Sequence, residues 1–248
     1  MTRAGMSLAA LFFFPTLVNA QTNPVNLPSK PPRGAIVLFN GADTSAWVHQ
    51  NNLPVQWVVK DGYLEVKPRS GAIMTRQEFG DCRLHLEFNL PLMPEAASQG
   101  RANSGVYLQG RYEIQVLDSW RNPTYARGGL GALYGQKDPD RDAIRPPGVW
   151  QSFDFIFRAG RTDSTGKVTE RPRITAYQNG ILIHDNVEIL ETDTTRSVGG
   201  QVQILGPILL QDHGNRVRYR NIWIVSNQVS GKSIEAGQKP PSKWTTWD

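Results

Sequence analysis

Along most of the chain, apolar residues alternate singly with polar ones over short stretches. No longer window keeps the three-to-four-residue spacing of an amphipathic helix. In RLHLEFNL (83–90), Leu84, Leu86, Phe88 and Leu90 fall on one side and Arg83, His85, Glu87 and Asn89 on the other, because successive strand side chains point to opposite faces. Similar stretches predict strands at 35–39, 55–59, 63–67, 83–90, 104–109, 112–118, 152–158, 173–178, 181–184, 202–205, 207–211 and 217–225. They are separated by Gly, Pro, Asn and Asp clusters. This predicts an all-β single domain, a two-sheet antiparallel β-sandwich of jelly-roll type.

Two turns are signalled directly. Asp61-Gly62 and Asn179-Gly180 each sit between alternating stretches, and these dipeptides suit type I′ hairpins, whose central residues both need positive φ. A third connection follows from register. A two-residue Gly110-Arg111 turn would set Leu108 opposite Glu113 and mix polarities on each face. One more loop residue, or a bulge, puts Tyr107, Glu113 and Gln115 together and leaves the aliphatic residues inside, where burial fixes register.

The ends differ from the body. Residues 1–20 carry Arg3, an apolar run and Val18-Asn19-Ala20, the layout of a secretory signal peptide with a small-residue cleavage site. Residues 21–33 read as a proline-rich extended lead-in, 34–226 as the sandwich and 227–248 as a polar tail. The expectation is an exported protein, periplasmic or extracellular, without membrane insertion.

Composition narrows the function. The chain has 248 residues, 23 Gly, 17 Pro and one Cys, which argues against a helix bundle, a disulfide framework and a Cys-rich zinc module. The net charge of +5 comes from scattered basic residues, so nucleic acid is not an expected partner. No GxSxG, GxGxxG, P-loop or HExxH pattern occurs, which removes the serine-hydrolase, dinucleotide, nucleotide and zincin readings. No cofactor is expected. The alternating Asp138, Asp140 and Asp142 leave room for a structural calcium ion, although Pro139 and the missing Gly-x-Glu end defeat an EF-hand reading.

The polar faces hold the candidate chemistry. On three strands taken as neighbours, His85, Glu87, Tyr107, Gln109, Glu113 and Gln115 would stand side by side, joined by Gln211, Asp212 and His213. Amides and carboxylates suit sugar hydroxyls, and aromatic rings such as Tyr107, Trp120, Tyr125, Tyr134 and Trp150 suit sugar C–H faces. The bland reading is that a sandwich solvates the outer face of each sheet.

LFNGADTSAW (38–47), WVVKDGYLEV (57–66), FGDCRLHLEF (79–88), ANSGVYLQGRYEIQVLDSW (102–120), GALYGQ (131–136), PPGVWQSFDFIFRA (146–159) and GPILLQDHGNRVRYRNIWI (206–224) together resemble the 3-keto-disaccharide hydrolase domain family. The resemblance implies a concanavalin A-like lectin/glucanase sandwich with a ligand groove on its concave face. It also implies an exported enzyme acting on glycosides whose sugar a separate oxidoreductase has first oxidised at C3. A C3 ketone acidifies the C2 hydrogen, so a base removes it, the C1 group leaves by β-elimination and water adds back. Such a site needs a base, an acid for the leaving oxygen and donors for the enolate. Glu113 and His213 are the first choices for base and acid, in either order. Glu87, Asp118, Gln115, Gln211 and Arg218 are assigned to orienting or stabilising charge, and Asn103, Tyr107, Gln109 and Tyr134 to holding the sugar.

Two rivals use the same groove. A two-carboxylate glycosidase needs acid and nucleophile about 5–5.5 Å apart for retention. Glucanases of this fold carry ExDxE on one strand, whereas this chain reads Glu113-Ile-Gln115-Val-Leu-Asp118. A non-catalytic carbohydrate-binding module would need neither Glu113 nor His213 to titrate.

Overall fold

The computed structural model describes residues 29–49, 51–190, 202–227 and 229. The expected signal peptide, most of the lead-in and nearly all of the C-terminal tail lie outside these residues.

Among the described residues, fifteen strands run in chain order: Ile36–Phe39 (β1), Trp47–His49 (β2), Val58–Lys60 (β3), Tyr63–Glu65 (β4), Ile73–Thr75 (β5), Cys82–Asn89 (β6), Ser104–Leu108 (β7), Tyr112–Val116 (β8), Gln151–Arg158 (β9), Arg161–Thr162 (β10), Val168–Glu170 (β11), Arg173–Gln178 (β12), Ile181–Glu188 (β13), Leu209–Leu210 (β14) and Arg218–Ser226 (β15). A larger sheet has the order β13-β12-β9-β6-β15-β4-β3, with β1 also paired to β15. A smaller sheet has the order β2-β5-β14-β7-β8, and β10-β11 form a short separate ribbon. All pairings are antiparallel. The fold is the all-β sandwich that the alternation predicts.

One apolar core joins the two sheets. Leu84, Leu86 and Phe88 of β6 and Phe153, Phe155 and Phe157 of β9 meet Val106, Leu108, Ile114 and Val116 of β7 and β8. The Tyr112 and Phe157 rings touch across the layers with centroids 5.9 Å apart. Tyr219 of the larger sheet reaches the Ser104 hydroxyl of the smaller one at 2.7 Å, and burial pushes its phenol pKa up. Each sheet gives one face to this core, and the second face of the smaller sheet is buried as well, every residue of β2, β5, β7, β8 and β14 being so.

Both predicted type I′ turns are present. Lys60 pairs with Tyr63 and Gln178 with Ile181, and the turn residues Asp61, Gly62, Asn179 and Gly180 all have positive φ, at 49°, 79°, 53° and 78°. Strands β2 and β5 and the β10-β11 ribbon lie outside the predicted stretches. Residues 202–205 form no strand, and 207–211 shortens to Leu209–Leu210.

Candidate active site

The β7-β8 hairpin carries the central group. Leu108 pairs with Tyr112, so Gln109, Gly110 and Arg111 form the three-residue connection that burial demanded. Gln109 and Gly110 have φ of 55° and 61°, and the Arg111 amide donates to the Leu108 carbonyl at 3.0 Å. This register sets Tyr107 opposite Glu113 and Gly105 opposite Gln115. All four lie on the face turned away from the core. Tyr107 packs there with Val48, Met74 and Leu209 in a small second apolar cluster. Glu113 is only 3% exposed.

Gly105 makes room for that carboxylate. A Cβ there would lie 2.4 Å from Glu113 Oε1 and 2.8 Å from the Tyr107 ring. Glycine inside a strand marks such a close approach, and the NSG stretch carried this signal in the sequence.

Several amides are held on and beside the same hairpin. Gln211 donates its side-chain amide to the Tyr107 hydroxyl and its backbone N–H to the Gly105 carbonyl, both at 3.0 Å. Gln115 donates to Gln99 Oε1 at 2.9 Å, and Asn103 donates to the Gln99 carbonyl at 2.8 Å. Gln99 therefore ties the two together, a role that sequence reading missed. The amide oxygens of Asn103, Gln115 and Gln211 are buried with no hydrogen-bond partner among the described residues, leaving three acceptors for hydroxyl hydrogens. The Tyr134 backbone donates to the Glu113 carbonyl at 3.0 Å, and its hydroxyl meets that of the exposed Tyr125.

Other expected members take different places. His213 is exposed, two residues past Gln211, on a turn braced by Asp212, which accepts from Gly71 N at 3.0 Å and Gly214 N at 2.8 Å. Asp118 is buried, paired with Arg101 Nε at 2.9 Å and accepting from Trp120 N at 3.1 Å. Its carboxylate is committed to the corner after β8. Gln109 is not on the face with Tyr107. It occupies the turn and donates to the Ile204 carbonyl at 3.0 Å.

Glu87, His85 and Arg218 are the main correction. They stand on β6 and β15 of the larger sheet, whose apolar sides share the core with β7 and β8. Their side chains therefore point out of the opposite face of the sandwich. Arg218 donates to Glu65 at 2.7 Å and lies 4.9 Å over the Tyr63 ring. Glu87 accepts from Arg220 Nε at 2.7 Å and from Asn221 Nδ2 at 2.9 Å. His85 Nδ1 lies 3.1 Å from Asp154 Oδ1, its Nε2 lies 3.9 Å from Glu87, and its ring stacks on Trp223. Burial alone would raise the Glu87 pKa, but the bonds from His85, Asn221 and Arg220 outweigh it and hold the group at about 2. Burial alone would lower the His85 pKa, and Asp154 and Glu87 together reverse that and raise it.

Among the described residues, no three His, Cys, Asp or Glu side chains are grouped to hold a metal ion. Asp138 accepts from Arg127 N at 2.7 Å, Asp140 pairs with Lys137, and Asp142 accepts from Ile144 N at 2.9 Å.

Comparison with known proteins adds to this geometry. Residues 34–225 match the model of the 3-keto-alpha-glucoside-1,2-lyase-like domain. The chain belongs to that family. A crystal structure of a candidate glycosyl hydrolase from Parabacteroides distasonis is 38% identical, with 82% of this chain and 89% of that one covered and a TM-score of 0.73. A second such protein from the same organism shares 21% identity over 82% of this chain and 94% of its own, with a TM-score of 0.58, and shows the common fold. A search of curated proteins gave no match. Membership of the 3-keto-alpha-glucoside-1,2-lyase-like family and the 38% identical relative place the chain in a glycoside-acting group.

Proposed function

We propose that the protein is an exported enzyme that cleaves 3-keto-glycosides or 3-keto-disaccharides at the Glu113 face. One observation carries this reading. Glu113 has an amide, Gln115, at the next same-face position of β8, and the other nearby carboxylate, Asp118, is tied to Arg101. A retaining glycosidase needs two carboxylates, whereas elimination from a 3-keto sugar needs one base.

In the proposed sequence Glu113 takes the C2 hydrogen as a proton, and the C2–H electron pair moves into the enolate formed with the C3 ketone. The enolate re-forms the ketone as the C1–O bond breaks, its electrons leaving with the aglycone oxygen, which takes a proton. Addition of water across C1–C2 then completes net hydrolysis. Glu113 lies on the sheet floor and His213 on the solvent side, so the base role falls to Glu113 and protonation of the departing oxygen to His213. The unpartnered amide oxygens of Asn103, Gln115 and Gln211 accept sugar hydroxyls, and the Tyr134 ring flanks the sugar, while the buried Tyr107 lies beneath with its hydroxyl held by Gln211. The ketone itself has to come from a separate oxidoreductase acting at sugar C3.

The deciding experiment compares release of free sugar from a C3-oxidised glucoside and from its unoxidised parent. Turnover of the keto substrate alone, lost in Glu113→Gln and His213→Ala, supports the proposal. Equal turnover of the parent supports the two-carboxylate glycosidase, and binding without turnover supports the non-catalytic module.

A further inference from the structure

The outer face of the larger sheet holds a cleft of about 320 Å³ lined by His85, Glu87, Arg145, Trp150, Asp154 and Arg220. It lies across the sandwich from Glu113, and no step of the proposed reaction uses it.

Its walls are built rather than incidental. Between Arg220 and Trp223 the β15 register gains one residue over β6, and Asn221 there has φ of 49°. A bulge of this kind re-aims a side chain, and here it directs the Asn221 amide onto Glu87 Oε1 at 2.9 Å. On the floor, His85 and Asp154 are almost fully buried, 3.1 Å apart, and Arg83 reaches Asp154 at 3.3 Å. On the wall, the Arg220 guanidinium lies 4.0 Å over the Trp150 ring while its Nε donates to Glu87. Each element of the cleft is thus held by a neighbour before any ligand arrives, which limits the ordering cost of binding.

The chemistry of the lining selects its ligand. Two guanidinium groups, Arg145 and Arg220, face two carboxylates, Glu87 and Asp154. Strong donors and strong acceptors therefore alternate without a dominant sign to draw in an ion. Hydroxyl groups donate and accept at once, and an indole beside them suits the C–H face of a sugar ring. The volume lies at the lower end of small-ligand clefts, about 300–1,000 Å³.

We propose that this cleft is a second saccharide-binding site, independent of the Glu113 face, that holds a neutral mono- or disaccharide unit. It would let the protein hold carbohydrate on one face while the other acts.

The test uses unoxidised sugars, so it stands whether or not the 3-keto reading holds. Sucrose, trehalose and cellobiose are titrated into full-length Glu113→Gln protein labelled with ¹⁵N-tryptophan. The Trp150 indole signal is identified by its loss in Trp150→Ala. The expected result is a saturable shift of that signal with at least one sugar, and a Kd at least about tenfold weaker in Ser152→Phe, which fills the cleft from β9. Trp150→Ala, read by calorimetry, should weaken binding similarly, and Gln115→Ala should leave the Kd read from the Trp150 signal itself unchanged. No shift at Trp150, an unchanged Kd in both cleft variants, or loss of binding in Gln115→Ala alone would overturn the proposal.

Discussion

At Gly105 a single methyl group decides whether Glu113 keeps its place, because an alanine Cβ there would stand 2.4 Å from the carboxylate oxygen. The neighbouring Tyr107 ring at 2.8 Å closes the other way out. Overpacking of this kind costs about 1–3 kcal/mol. Gly105→Ala should therefore lower stability by that amount and reduce turnover together, as read from denaturant unfolding and steady-state rates. The cause is testable by a double-mutant cycle, since residues in contact show coupling that distant ones do not. In a Glu113→Ala background most of the Gly105→Ala stability cost should vanish. An unchanged cost would mean that the clash is with the Tyr107 ring alone. Glu113→Gln, which preserves shape, should reduce kcat on a 3-keto substrate by about 10²–10⁴-fold, the usual weight of a general base.

Among the elements, the β7-β8 hairpin and the β6-β15 pair show what alternation can and cannot reveal. Alternation correctly grouped Tyr107, Glu113 and Gln115 and required the three-residue loop, because only that register keeps Val106 and Ile114 inside. Shortening Gln109-Gly110-Arg111 to Asn-Gly should slip the register, turn Glu113 toward the core and abolish both soluble expression and turnover. Recovery of a folded, active protein would show that the loop does not set the register. The same alternation also separated Glu87 from Leu86 and Phe88, but it says which face a residue takes, not which sheet its strand joins. Strands β6 and β7 are neighbours in sequence, yet β6 pairs with β9 and β15 while β7 pairs with β8 and β14. Glu87 and Glu113, taken as groove partners, are therefore on opposite faces. The β6-β15 pair also makes a prediction about pH. Glu87 has a folded pKa of about 2 against 4.5 for the free group, so its contribution to stability is complete above about 4.5 and disappears as pH falls toward 2. Glu87→Gln should be destabilising at pH 6 and lose most of that effect by pH 2.5, as measured by unfolding across that range. His85 has the opposite sign. Its raised pKa gives stability that is complete below 6.5 and fades as pH rises through the folded value.

For the molecule as a whole, two polar faces are carried by one core, and their independence can be measured. Glu113 contacts residues of β7 and β8, while Glu87 contacts His85, Arg220 and Asn221. The core of Leu84, Leu86, Val106 and Ile114 separates them. Close-packed interiors transmit strain, but substitutions without shared partners and more than about 7–10 Å apart usually add within about 0.3–0.5 kcal/mol. The stability change of Glu87→Gln plus Glu113→Gln at pH 6 should therefore equal the sum of the single changes within that margin. The same logic applies to function. Trp150→Ala and Ser152→Phe, both on the larger sheet, should leave keto-substrate kcat within about twofold while weakening saccharide binding at their own cleft. Coupling well beyond the additive margin, or a fall in kcat parallel to the loss of cleft binding, would mean that the two faces work as one site through the core. In that case Glu87 would belong to the reaction after all, acting at a distance on the positioning of the β7-β8 hairpin and not by touching the sugar at Glu113.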